Sequence, residues 1–254
     1  MRRKLDPLVL VAAALVAVPA AADPLRVEQA QVTTADGRRL LYRETHYVDP
    51  VAGSGRWVLY SCPDGRPFAR KQVRGAGMAP DFTLEDGRDG YREGVTTRGG
   101  ARTAFVAEAG KTRSAPLASS GDAVIDAGFD AAVRTHWNAL LRGTRLRMQF
   151  LVPSRQRYFP VQVEHAGNTQ WHGIPAERLR MRVDAWFGFA VPAVELLYAR
   201  DDRRLLEFRG TGNLRDARGN HPQVRIRFDK QPAAAAASEL AGIRRLALDG
   251  KCTI

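Results

Sequence analysis

Cysteine is nearly missing from this 254-residue chain: there are 2, at positions 62 and 252. That excludes a small disulfide-stapled scaffold and leaves a hydrophobic core as the means of holding the fold together. With 44% apolar residues there is enough surface to bury such a core, which excludes intrinsic disorder, and no glycine repeat points to a collagen-like chain. Aromatic residues are sparse at 8%. Acidic residues are the minority sign, 27 against 39 Lys and Arg, and lysine itself is scarce, confined to Lys4, Lys71, Lys111, Lys230 and Lys251. The positive charge is therefore almost all guanidinium. After Asp23 no apolar run reaches the ~20 residues that a bilayer-spanning helix needs.

What is present at the start is a leader. Arg2, Arg3 and Lys4 precede an apolar run from Leu8 to Val18, then Pro19 and the small residues Ala20, Ala21 and Ala22. This basic, apolar and small-residue order is that of a secretory signal peptide, expected over residues 1–22. No cysteine follows it to carry a lipid anchor. Removing three basic residues and Asp6 lowers the formal charge from +12 to about +10. The expected location is the periplasm or another exported compartment, in soluble form. An exported cation meets anionic phospholipid, lipopolysaccharide phosphate or an acidic protein surface, so nucleic acid is not an expected partner.

Along the rest of the chain the dominant period is two. Asp36-Gly37 separates Val27–Thr34 from Arg39–Tyr47, and Pro63-Asp64-Gly65 separates Trp57–Ser61 from Phe68–Val73, both hairpin signals. Leu146, Met148, Phe150 and Val152 alternate with Arg145, Arg147 and Gln149. Leu179, Met181 and Val183 alternate with Arg178, Arg180 and Arg182, and Val224, Ile226 and Phe228 with Arg225, Arg227 and Asp229. A period of two sends the apolar members to one face of a sheet and the arginines to the other. Val194–Ala199 and Leu205–Gly210 flank Asp201-Asp202-Arg203 as a further hairpin.

One segment departs from that period. Phe129, Val133, Trp137 and Leu140 recur at three- and four-residue steps, which predicts an amphipathic helix over Val124–Arg142, capped by Asp126 and ended at Gly143. The tail from about residue 231 carries Pro232 and an alanine run, compatible with a short helix or a flexible linker. The fold class expected is α+β, mostly β: a large curved antiparallel sheet, a half-barrel, with one main helix packed on its apolar face. Residues 23–254 are expected to form a single β-rich domain.

Chemical motifs are few. Cys62 and Cys252 are expected to pair in an oxidising compartment, a bridge worth about 5 kcal/mol at most on chain entropy, pinning the tail onto the first hairpins. The histidines, His46, His136, His165, His172 and His221, include no i, i+4 pair of the zinc-protease kind, and no metal or cofactor is called for. Ser54 and Ser154 lack the setting of a nucleophile elbow. The run from Glu85 to Gly94 is the densest acidic cluster, read as screened surface pairs around a turn, with Asp86 and Glu93 as the carboxylates a hydrolase would use. Trp186, Phe187 and Phe189 break the alternation and point to a ligand cleft, an interface or a two-sided core.

The leader, the arginine-alternating strands, the helix at Val124–Arg142 and the late hairpin Glu195-Leu196-Leu197-Tyr198 with Asp201-Asp202-Arg203-Arg204-Leu205-Leu206 together resemble the periplasmic lipoprotein-carrier (LolA-like) half-barrel group. That resemblance implies a concave apolar sheet face, partly lidded by helix, that holds acyl chains. The function expected is then a non-enzymatic exported protein binding an acyl chain or lipid on Leu146, Met148, Phe150, Met181, Trp186, Phe187 and Phe189. The alternatives are an envelope protein docking an acidic partner on Arg145, Arg147, Arg180, Arg182, Arg225 and Arg227, and a hydrolase of unknown substrate.

Overall fold

The computed structural model describes residues 25–49, 55–118, 120–185, 188 and 191–254. Eight strands come first: β1 (Arg26–Thr34), β2 (Leu40–Val48), β3 (Arg56–Ser61), β4 (Pro67–Arg74), β5 (Asp81–Asp86), β6 (Tyr91–Arg98), β7 (Ala101–Glu108) and β8 (Lys111–Pro116). A short β9 (Ala123–Val124) leads into α1 (Gly128–Thr135) and α2 (Trp137–Leu141). Then follow β10 (Leu146–Val152), a 3-10 turn at Pro153–Arg155, β11 (Arg157–Trp171), β12 (Ile174–Val183), β13 (Val194–Ala199), β14 (Leu205–Thr211) and β15 (Gln223–Arg227). The tail adds β16 (Ala233–Ala234) and α3 (Ala237–Ile243).

The strands join in one 16-stranded sheet ordered β8-β7-β6-β5-β4-β3-β2-β1-β15-β14-β13-β12-β11-β10-β9, with β16 on the side of β1. Every pairing is antiparallel except β9 with β10. The meander reflects short turn-linked strands, each pairing with its sequence neighbour, and β1 is the seam at which the first half meets the last strand of the second. The end strands β8 and β9 do not pair with each other, so the sheet curls without closing. Its curl brings the tip between β10 and β11 onto the first half, where the Gln156 side chain reaches the Ala104 carbonyl at 3.5 Å.

The inner face of the curl is the core. In the first half Val32, Tyr42, Val58, Tyr60, Phe68, Phe82, Leu84 and Val95 pack together, all at most 2% exposed. In the second half Met148, Val161, Val163, Leu179, Leu196 and Tyr198 pack against Val133, Trp137 and Leu140 of the helices. Sixteen strands curled round leave more room than side chains alone can fill, and the helices occupy it. Trp137 meets the Tyr198 ring edge-on at 6.0 Å, and Phe129 meets Phe150 at 6.4 Å. The Phe129, Val133, Trp137, Leu140 periodicity thus faces the sheet as expected.

Four expectations need correction. The helix is two helices, broken at His136. Asp126 does not cap it: Ala127 holds the N-cap position without a side-chain bond, and Asp126 turns to Lys71 instead. Alternation fails at the end of β10, where Leu151 is 1% exposed while Phe150 and Val152 are half-buried, because the tip folds its other face onto the first half's core. Nor is the inner face wholly apolar, since Glu44, His46, Lys71, Asp86 and Glu93 lie buried among its residues.

The tail runs along the outer face of the first half. Arg70 of β4 donates to the Arg244 carbonyl at 3.0 Å, and the Arg244 guanidinium lies 5.3 Å from the centre of the Trp57 ring. Cys62 and Cys252 form a disulfide, so the tail is pinned to the hairpin between β3 and β4, and Ile254 ends in the core.

Two glycines are positional requirements for the helices. Gly143 has φ +88°, the left-handed geometry that lets the chain leave α2 for β10. At Gly128 a Cβ would sit 1.9 Å from the Met78 carbonyl oxygen, so α1 can approach the loop between β4 and β5 only without a side chain. Gly128→Ala should therefore cost about 2 kcal/mol or more in urea unfolding. A cost under about 0.5 kcal/mol would show that α1 is not seated on that loop.

Candidate functional site

The strand register stacks the inner face of the first half in layers. Across β1 to β6 the outermost layer runs Arg26, Val48, Arg56, Val73, Phe82, Val95. The next runs His46, Val58, Lys71, Leu84, Glu93, and the third Glu44, Tyr60, Ala69, Asp86, Tyr91. The outermost layer borders one open end of the curl. There the loop of Gly75, Ala76 and Gly77 and the start of α1 lean over it and enclose a cleft of about 340 Å³.

The walls of this mouth cleft are Val48, Val73 and Pro80 on the sheet side and Ala127, Gly128 and Ala131 on the helix side. Three guanidiniums line it, those of Arg26, Arg56 and Arg134, together with the carboxylates of Asp49 and Asp130. Arg26 pairs with Glu28 at 3.1 Å and Arg134 with Asp130 at 3.0 Å, one helical turn apart. Apolar walls with a few converging polar groups are what an amphipathic small molecule needs, and the volume is at the lower end for such sites.

Directly beneath lies a buried ionic cluster. Lys71 Nζ bonds Asp126 Oδ1 at 2.8 Å, with both side chains under a tenth exposed. Asp126 Oδ2 is buried without a hydrogen-bond partner among the described residues. Glu93, on the same layer as Lys71 two strands away, accepts the Tyr91 hydroxyl proton at 2.7 Å. Burial foremost, with the Asp126 carboxylate adding to it, pushes Glu93 up to about 7 against the opposing pull of the Tyr91 hydroxyl, Lys71 and Arg215. At the β2 end of the same layer His46 Nε2 meets Glu44 at 2.7 Å, with the His46 ring edge-on to Phe228. Asp86 is clamped by Arg88, whose guanidinium also lies over the Phe68 ring at 4.7 Å, and Arg215 stacks on Tyr91 at 3.6 Å while pairing with Asp89 and Glu108.

Asp86 and Glu93 are thus core residues and not the exposed turn pairs expected from the acidic run. The signal that would have found this cluster is parity. Lys71 shares its strand face with Ala69 and Val73, and Glu93 with Tyr91 and Val95, so each is a charge at an apolar position. No group of three or more metal-ligating side chains occurs among the described residues.

Of the residues expected to line a ligand cleft, Leu146, Met148, Phe150 and Met181 come together on the inner face of the second half, against α1 and α2. Met148 is buried and the other three keep some exposed surface. Trp186, Phe187 and Phe189 lie outside the described residues.

The arginines expected as a basic face are on the outer side, interleaved with acids. Arg145 pairs with Glu164 at 3.4 Å, Arg147 with Asp184 at 3.2 Å and Arg180 with Glu195 at 2.9 Å. Arg225 pairs with Glu207 at 2.6 Å and Arg227 with Asp229 at 3.1 Å, while Arg182 has no ion pair among the described residues. The more exposed of these pairs, such as Arg145–Glu164 and Arg147–Asp184, contribute little stability, and all of them cancel much of the field that an acidic partner would feel. A second cleft of about 210 Å³ on this side is lined by Trp171, Leu197, Arg178, Arg209, Glu195 and Glu207, acids and bases in equal number. Among the described residues no helix is long and apolar enough to cross a membrane.

No protein-family model matches the chain, and no curated protein matches it. Among solved structures the chain is similar to a beta-barrel-like protein of the domain of unknown function DUF1849 from Brucella abortus, with a TM-score of 0.52 and 8% sequence identity over 84% of this chain and 98% of that one. This likeness shows a barrel-like sheet fold.

The buried cluster makes stability depend on pH. Glu93 is raised in the folded chain from 4.5 to about 7, so its contribution is present in full below about pH 4.5 and is lost as pH rises through about 7. The loss is on the order of 3 kcal/mol. Urea unfolding between about pH 5 and pH 8 should show that decline in the wild type and a flatter profile in Glu93→Gln. Equal slopes in the two proteins would contradict the buried, shifted carboxyl.

Proposed function

We infer that the chain is an exported, non-enzymatic protein that binds an amphipathic ligand with an anionic head, the tail against the apolar walls of the mouth cleft and the head among Arg26, Arg56 and Arg134. The observation that carries this reading is the cleft itself, about 340 Å³ of space whose walls are apolar and whose fixed charges include three guanidiniums. Guanidinium forks suit carboxylate, phosphate and sulfonate oxygens, and they bind best where apolar walls keep water away. Burying tail surface at ~25 cal/mol per Å² supplies several kcal/mol before ordering costs, enough for reversible carriage.

Leu146, Phe150 and Met181 extend this reading: they lie on the same concave face, so a longer tail would run from the mouth toward them beneath α1. The resemblance to lipoprotein-carrier half-barrels fits the same picture of an acyl chain held in a curved sheet. The leader over residues 1–22 and the Cys62–Cys252 bridge favour an oxidising compartment such as the periplasm, where a carrier of this kind meets its lipid.

The test uses the leaderless protein and a fluorescent anionic amphiphile such as anilinonaphthalene sulfonate. The wild type should enhance its fluorescence saturably. Ala131→Phe, which places a ring in the cleft, and Arg56→Glu, which reverses a charge at its rim, should each weaken binding by about tenfold or more while the thermal midpoint moves by only a few degrees. Undiminished binding in both variants would refute the mouth cleft as the site.

A further inference from the structure

Resting on that reading of the mouth cleft, we propose that Lys71, Asp126 and Glu93 form a one-proton site that regulates it: with the proton bound, α1 is seated and the cleft holds its ligand, and with the proton lost the seat loosens and the ligand leaves. The geometry begins at Asp126. It is the residue immediately before Ala127 and Gly128, which line the cleft, and its ion pair with Lys71 ties the chain entering α1 to β4. Its backbone is left-handed, φ +47°, a conformation that needs support from its surroundings. That support comes from Lys71 on one side and the Ile125 N–H to Met78 carbonyl bond at 3.0 Å on the other.

The charge balance is what makes the tie conditional. Lys71 bonds Asp126 and lies two strands from Glu93, in a layer that also holds Val58, Leu84 and Val106 and, at its β2 end, His46. Asp126 Oδ2 is buried and has no hydrogen-bond partner among the described residues, with the whole side chain only 9% exposed. When Glu93 is protonated the three groups are neutral together and Lys71 belongs to Asp126. When Glu93 ionises, one negative charge is left over in an apolar layer and the two carboxylates compete for the same ammonium. The proton passes between solvent and the Glu93 carboxylate, and no other bond changes.

The remaining ionisable groups facing this layer are already committed. His46 and Glu44 of β2 pair with each other, and Asp86 of β5 pairs with Arg88. Arg215, from the connection between β14 and β15, is held by Asp89 and by Glu108 of β7, and Tyr91 of β6 donates to Glu93 itself. Tyr60 of β3 faces Asp126 and Glu44 as a neutral phenol, its hydroxyl held protonated by burial. Arg215 also draws on Glu93, but its guanidinium is shared with Asp89 and Glu108.

The experiment follows anilinonaphthalene sulfonate, whose sulfonate stays ionised throughout, at about pH 6 and about pH 8. The wild type should bind about tenfold more weakly at the higher pH. Amide protection of residues 122–135 should fall over the same interval. Glu93→Gln should bind alike at both pH values and keep those amides protected. Asp126→Asn, which leaves Lys71 to Glu93 alone, should also lose the pH dependence. Wild-type binding and protection that are the same at both pH values overturn the regulation and leave the mouth reading standing. A pH dependence that persists in both variants overturns it as well, and no binding at either pH overturns the mouth reading and the regulation with it.

Discussion

A sheet of sixteen strands that curls without closing must fill a concave face wider than its own side chains can bridge. Here the filling differs between the two halves. In the second half α1 and α2 lie in the hollow, with Trp137 and Leu140 driven against Leu179, Leu196 and Tyr198. In the first half the inner side chains are themselves large, Tyr42, Tyr60, Phe68 and Phe82, and they meet without a helix between them. The short link from β9 to α1 crosses between these regions. The mouth cleft is the gap that remains where α1 stops short of the first half's outermost layer.

That link explains why charges sit where apolar packing would be cheaper. An ion pair buried to a tenth exposure gains little net stability over a well-packed apolar pair, but it fixes position, because either partner left alone would be a bare buried charge. Lys71 and Asp126 thereby set where α1 begins, and Gly128 lets it begin close to Met78. On the outer side the same chemistry has another effect. Arg180, Arg225 and Arg227 each face a carboxylate, so a chain of formal charge +12 presents a mixed surface over much of its second half. At the mouth Arg26, Arg56 and Arg134 meet apolar surface, with Glu28 and Asp130 pairing two of them.

Much of the fold was legible because it is local. Turn dipeptides such as Asp36-Gly37 and period-two alternation fix hairpins between sequence neighbours, and this sheet is built almost wholly of such neighbours. The Cys62–Cys252 bridge was legible for a different reason, being the one pairing two cysteines allow. The site was less so. Asp126 reads as a helix cap because its partner is 55 positions away, and Glu93 reads as part of an exposed acidic turn because the Gly-rich run hides that it has entered β6. Arg26, Arg56 and Arg134 come from three separate elements and meet only through register and the placement of α1. Leu146, Met148, Phe150 and Met181 come together under α1 and α2, since period two identifies the face that the helices cover.

Nuclear magnetic resonance of the leaderless protein titrated with an anionic amphiphile at about pH 6 reads the location of binding without a variant. The account predicts saturable shifts concentrated at Val48, Val73, Ala127 and Ala131, with Trp171 and Leu197 on the outer face unmoved. Shifts centred on the outer face, or none at all, would contradict it.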